Sequence, residues 1–287
     1  MDTNSFFNSS ECNPAVDRKI LVNGMAKSGT HLVKRVLALM GFGATSFCLA
    51  ANQANRAPIL WDERNERILG KGVLIGSERP TPIHELLLKQ LLRGVSNNQA
   101  FNGHNVWTAR LERVLCEEKI SMICILRDPR DIVVSLSNYL ERYQHPDFVG
   151  KSADEKLMLA IEGVNPIQPP LISPARVLSI SESCCEVYKW TTLPSVLTVK
   201  FEELVGPEGG GNLEQQLQTL ANIAKFTGMR VNEPEDLRNR LFGRTRTFNV
   251  GRIGQWQELF SPQHKARFKE MAGEGLVTLG YESNHAW

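Results

Sequence analysis

A chain of 287 residues with 42% apolar side chains can bury a sizeable core and is too apolar to remain disordered. Its 33 basic and 31 acidic residues leave a formal charge of +2, which speaks against a nucleic-acid coat. No apolar run reaches membrane-spanning length, because the candidate that begins at Val36 is broken by Gly41, Gly43, Thr45 and Ser46.

Residues 1–17 are polar and acidic and carry no signal-peptide core, so they read as a flexible N-terminal tail. A single domain is expected over 18–287, since strand patterns continue past both Pro- or Gly-rich stretches, 163–174 and 206–211. The six cysteines, Cys12, Cys48, Cys116, Cys124, Cys184 and Cys185, form no CxxC pair. They read as reduced and mostly buried thiols of a cytoplasmic protein.

Lys19–Asn23 is a short apolar run of the buried-strand kind. The turn 24–29 follows, then Leu32, Val33, Val36, Leu39 and Met40 at helical spacing, with Gly41 as a stop. Leu86 to Leu92 is a second helical pattern, followed by a polar break that places His104 in a loop ahead of a strand. Ser121–Leu126 repeats the buried-strand pattern, and Ile132, Val133, Leu136 and Leu140 line the next helix. A helix carrying Val187 and Trp190 should end near Pro194, ahead of a strand at Val196–Phe201. Ser261 and Pro262 are N-cap and first residue of a last helix, with Phe268 and Met271 inward and Gly273 at its end. Strands alternating with helices predict an α/β fold, a parallel sheet with helices on both faces.

Three segments carry candidate chemistry. Gly24 to His31 joins a strand to a helix, where backbone N–H groups and the helix dipole favour an anion. Gly24 and Gly29 have Walker A spacing, but Thr30 stands where the lysine should be and Lys27 lies inside the loop. Ser28, Gly29 and Thr30 add side-chain or unobstructed backbone donors. Arg127 ends the second buried strand and Ser135 follows eight residues later. Ligands gather at the carboxyl ends of parallel strands, so Arg127 should share an edge with Lys27. Its guanidinium suits bidentate capture of a phosphate, or else it pairs with Asp128 or Asp131. The third segment, 247–256, sets Gly251 and Gly254 beside Arg252, again allowing close approach of backbone to an anion.

Together these segments resemble the sulfotransferases that use 3′-phosphoadenosine 5′-phosphosulfate. The family's phosphosulfate loop, roughly PKSGTxW, appears as Ala26-Lys27-Ser28-Gly29-Thr30-His31-Leu32. Its arginine and serine eight apart appear as Arg127 and Ser135, and a YEDL-like segment as Phe201-Glu202-Glu203-Leu204. Its C-terminal RKGxxGxW appears as Asn249-Val250-Gly251-Arg252-Ile253-Gly254-Gln255-Trp256. Leu32, Phe201, Asn249 and Val250 depart from the family pattern. The resemblance implies a three-layer α/β sandwich around a central parallel sheet, similar to P-loop NTPases, and sulfuryl transfer without metal to a hydroxyl or amine. It implies that Lys27, Ser28, Gly29, Thr30 and His31 surround the 5′-phosphosulfate. Arg127 and Ser135, helped by Gly251 and Arg252, would hold the 3′-phosphate. The family's base is a histidine shortly before the 3′-phosphate strand, and His104 lies 23 residues before Arg127. A histidine also titrates where a hydroxyl's general base should.

The implied acceptor is a small molecule or a glycan or lipid, with no nucleic-acid partner, and the chain a monomer or homodimer. The histidines have no metal-ligand spacing, so no bound metal is expected. Trp107, Trp190, Trp256, Tyr139, Tyr143 and Tyr188 line either an acceptor pocket or the core, Trp190 the core, and 139–174 is the candidate acceptor lid. The competing readings are a nucleotide-binding pseudoenzyme of the same fold and a P-loop phosphotransferase. The second would need a lysine at Thr30. Charge supports an anionic nucleotide: 18–61 holds six basic residues and 238–257 five, with no acid in either. Outside them 22 basic residues face 31 acidic ones, so the positive charge gathers around the first and last segments.

Overall fold

The computed structural model describes residues 18–50, 72–78, 80–165, 176–231, 233–241 and 251–287. Five strands form one parallel sheet in the order β2-β5-β1-β6-β7. They are β1 (Lys19–Gly24), β2 (Gly43–Leu49), β5 (Gln99–Gly103), β6 (Ile120–Leu126) and β7 (Val196–Lys200). A separate antiparallel hairpin joins β3 (Val73–Ile75) to β4 (Thr81–Ile83).

The central strand β1 is covered on both sides, which is why it reads as an unbroken apolar run. Ile20 and Val22 point to one face with Ala100, Ile123, Ile125 and Val199. There they meet helices α1 (Thr30–Leu39) and α8 (Leu213–Thr227) through Val33, Val36, Leu220 and Ile223. Leu21 points to the other face with Phe101, Met122, Cys124 and Leu126. That face is covered by α2 (Glu85–Gly94), α3 (Ala109–Glu117), α4 (Pro129–Arg142), α5 (Ala153–Glu162), α6 (Ile180–Thr191) and α11 (Pro262–Thr278). The architecture is therefore the expected three-layer sandwich. Short helices α7 (Phe201–Leu204), α9 (Pro234–Asn239) and α10 (Trp256–Leu259) complete it.

Several expectations change. The polar break before His104 is a strand, β5, so His104 follows a strand rather than preceding one. Phe201 opens α7 instead of closing β7. Gly273 does not end the last helix, which runs on to Thr278. Gly273 and Gly275 are helix-interior residues, and a Cβ at Gly275 would lie 3.1 Å from Cys184 Cβ, so glycine lets α11 cross close over α6. Cys124 and Cys184 are buried as expected, whereas Cys116 and Cys185 are exposed. Most of 139–165 is helical, in α4 and α5. The remainder of the candidate lid, together with Asn249, Val250 and the tail 1–17, lies outside the described residues.

Register places the sheet's carboxyl edge. Gly24 sits opposite Ile125, and Val22 opposite Asn102, so the residues after β1, β5 and β6 emerge side by side. A Cβ on Gly24 would lie 2.5 Å from the Ile125 carbonyl oxygen, so only glycine fits where the chain leaves β1.

Candidate active site

The loop after β1 is folded on itself. The Ser28 N–H and hydroxyl both donate to the Met25 carbonyl, at 3.2 and 2.8 Å. Gly29 caps α1 without any side-chain hydrogen bond, and the helix has no acid in its first turn. The positive end of α1 is thus left open to an anion. Gly29 has φ +109°, and a Cβ there would come 2.8 Å from the Phe201 ring. Gly29→Ala is expected to cost about 1–2 kcal/mol of stability from its left-handed backbone alone. Urea unfolding measures it, and an unchanged midpoint would mean the loop relaxes freely.

Lys27 is a non-glycine residue in the left-handed region, with φ 69°. Such strain gathers at functional loops and costs of order 1–3 kcal/mol. Its Nζ stands 4.0 Å over the Tyr139 ring. Burial, then the nearby charges of Arg127 and Arg142, lower its pKa to about 8. Thr30 is buried at the start of α1, His31 is exposed beside it, and Ser135 is half-buried on α4.

Arg127 is buried at the end of β6 and gathers the three segments. Its Nη1 donates to the Lys27 carbonyl at 3.3 Å and its Nη2 to the Arg252 carbonyl at 3.1 Å. Its guanidinium lies 4.4 Å from the centre of the Phe201 ring. It does not take the alternative carboxylate pairing: Asp128 is bound by Arg130, and Asp131 accepts the Gly254 and Trp256 amides at 2.7 and 3.1 Å. Arg127 Nε is buried with no partner among the described residues. Burial draws the Arg127 pKa below its ordinary value, against the pull of Asp131, Glu202 and Asp128. The Asp131 bonds fix the turn that carries Gly251, at φ 63°, and the exposed Arg252.

His104 follows β5 and is half-buried. Its Nδ1 is 2.8 Å from the Gly24 carbonyl oxygen. A carbonyl only accepts, so Nδ1 carries the hydrogen and a neutral ring keeps its lone pair on Nε2. Burial and then Lys27 lower the His104 pKa below 6.5, although the Gly24 bond pulls upward. The ring is neutral near pH 7. A cavity of about 190 Å³ opens beside it, bordered by Gly24, Ala26, Asn105 and Tyr139.

Asn23 and Asn105 carried no sequence signal that singled them out, and the sequence marked Asp131 and Glu202 only as a possible partner of Arg127 and as part of the YEDL-like segment. Asn23 and Asn105 clasp each other across 82 positions: Asn105 N–H donates to Asn23 Oδ1 at 2.9 Å, and Asn23 Nδ2 to the Asn105 carbonyl at 3.2 Å. That clasp fixes the chain directly after His104 against β1. Asp131 orders the last segment, and Glu202 accepts the Asp128 amide at 2.8 Å beneath Arg127. Paired polar residues after consecutive strands are the one trace of this network in the sequence. Of the aromatic candidates, Tyr139 borders the cavity, Trp190 is core, and Tyr143 and Tyr188 are exposed. Among the described residues no cluster of three or more His, Cys, Asp or Glu has a metal-binding arrangement, and no helix is long and apolar enough to cross a membrane.

Comparison with known proteins bears on the fold and the family. The chain resembles the mouse sulfotransferase SULT7A1 complexed with PAP at 17% identity and a TM-score of 0.55, over 93% of this chain and 90% of that one. It also resembles retinol dehydratase, in complexes with PAP and either androsterone or retinol, at 14% identity and a TM-score of 0.52. Those likenesses cover 96% of this chain and 84% of that one and speak to the fold alone. No curated protein sequence matches the chain. The family model for the sulfotransferase domain matches residues 17–280, and with that span the chain belongs to the sulfotransferase domain family.

Proposed function

We propose that this chain transfers a sulfuryl group from 3′-phosphoadenosine 5′-phosphosulfate to a hydroxyl or amine of a small acceptor. The observation that carries the reading is Arg127: buried, tied to the backbone of both Lys27 and Arg252, and with no partner for its Nε among the described residues. A buried donor without an acceptor costs about 1–3 kcal/mol, and a nucleotide phosphate would relieve it. The open N-terminus of α1 and the Gly24–Gly29 loop fit a second anionic group beside Lys27.

When bound, the donor supplies the sulfuryl group and its bridging oxygen leaves with the nucleotide. Lys27 Nζ meets the negative charge that develops on that oxygen, which is where preorganised cations contribute most. Gly29, Thr30 and His31 present the open end of α1, and Ser28 holds the loop in shape. His104 Nε2 takes the acceptor's proton, with Nδ1–H anchored on Gly24. Arg127, Ser135, Gly251 and Arg252 hold the 3′-phosphate. The neighbours crystallised with PAP support the nucleotide, and those crystallised with androsterone and retinol support a small-molecule acceptor. Five free cysteines among the described residues support a reducing, cytoplasmic setting.

Calorimetry with PAP tests the nucleotide site. Wild-type protein is expected to bind, and Arg127→Ala to bind about tenfold or more weakly, from the loss of a charge-assisted contact. Equal affinity in the two proteins would make Arg127 structural, and no binding by wild type would end the reading. Binding without turnover on any acceptor would leave a nucleotide-binding protein instead.

A further inference from the structure

The cavity beside the loop after β1 is walled largely by apolar groups, including Met25, Leu136, Leu140, Val177 and Val187. Besides Glu78, one carboxylate interrupts that wall, Glu186 on α6. It is half-buried, and no hydrogen bond or ion pair from a described residue reaches it. The cation on the same wall, Arg176, is already committed. It pairs with Glu182 and donates to Asn165 Oδ1 at 3.2 Å and to the Glu78 carbonyl at 3.4 Å. Among the described residues Glu186 therefore has no counter-charge of its own in this mainly apolar cavity.

A partly desolvated carboxylate is costly unless something pairs with it. Burial first, and then the like charges of Glu182 and Glu78 against Arg176, push the Glu186 pKa up to about 7. His145 and Tyr139 border the same cavity from the loop after α4 and from α4 itself. A protonated amine entering the cavity would hold Glu186 ionised and lift the repulsion from its two acidic neighbours. The same cavity is bordered by Gly24, whose carbonyl anchors His104, and by Tyr139, whose ring lies under Lys27. Roughly 150 Å³ of dry apolar cavity takes a benzene ring. The cavity of about 190 Å³ suits one ring with a short chain.

We propose that Glu186 selects the acceptor, and that the acceptor is an amphiphile: a hydroxylated apolar ring whose short chain ends in a protonated amine. The hydroxyl lies toward His104 and the ammonium on Glu186. This assignment rests on the sulfuryl-transfer reading and adds to it the class of acceptor.

The test compares three phenols that differ only in the chain end: aminoethyl, ethyl and carboxyethyl. With the phosphosulfate donor, wild type is expected to favour the amine over the ethyl compound in kcat/KM by about tenfold or more, the scale of a hydrogen bond to a charged group. The carboxylate should be the poorest. In Glu186→Gln the amine-to-ethyl ratio is expected to fall toward one. Equal rates for amine and ethyl phenols in wild type, or a preference that survives Glu186→Gln, would overturn the proposal. Calorimetry of the aminoethyl phenol onto the PAP-loaded protein decides the case where neither phenol turns over. Binding to wild type and not to Glu186→Gln supports the assignment, and equal binding or none overturns it. Failure of wild type to bind PAP is a separate result, and it counts against the sulfuryl-transfer reading rather than against Glu186.

Discussion

Lys27→Met is expected to lower kcat by about 10²-fold or more, the loss seen when one preorganised charge-stabilising group is removed. Methionine keeps an unbranched chain over Tyr139 and removes only the cation, so packing is largely preserved. The ammonium is half-buried with Arg127 and Arg142 nearby, and its pKa of about 8 still leaves it mostly charged at pH 7. In such surroundings a charge is screened less than in water and acts strongly on a developing anion. Single-turnover rates with saturating donor measure the effect. Turnover within a few-fold of wild type would remove Lys27 from the chemistry and leave it a loop residue.

His104→Asn is expected to lower kcat/KM by about 10²- to 10⁴-fold, the span of general-base contributions. Asparagine keeps an N–H that can donate to the Gly24 carbonyl and lacks any group at the place of Nε2. The anchor and the base are thereby separated. The pH profile gives an independent reading. His104 must be neutral, and its lowered pKa sets an acid limb below pH 6.5. Lys27 must be charged, and its pKa sets an alkaline limb near pH 8. Wild-type kcat/KM should therefore be bell-shaped. The asparagine variant should lose the acid limb and keep the alkaline one, while Lys27→Arg should carry the alkaline limb upward. An acid limb that persists without His104 would assign the proton to another group.

The sandwich was legible wherever burial on both faces wrote an apolar run. β1, β6 and β7 stand out for that reason, as do the helices that follow with their turn and cap signals. β5 was not legible. Gln99–Gly103 holds two apolar residues and becomes a strand because β1 and β2 flank it with hydrogen-bonding edges. Without that strand the sequence sets His104 ahead of a strand, whereas the fold sets it directly after one. Lys27, Arg127 and Arg252 could be found because glycines and strand ends mark their positions. The hold of Asp131 on the last segment and the Asn23–Asn105 clasp could not, since their meaning lies in partners 123 and 82 residues away. Glu186 carries no signal in the sequence, and only the fold puts it into a cavity wall.

The 2.8 Å contact between His104 and Gly24 has a consequence for tolerance. The proposed proton acceptor and the first residue of the proposed anion cradle lie at the ends of different strands, 80 positions apart, and would ordinarily accumulate the error of each. One hydrogen bond makes them a single jig. If the cradle tightens around its cargo, the imidazole travels with it, and the gap that an incoming hydroxyl must bridge is gauged from the same carbonyl oxygen.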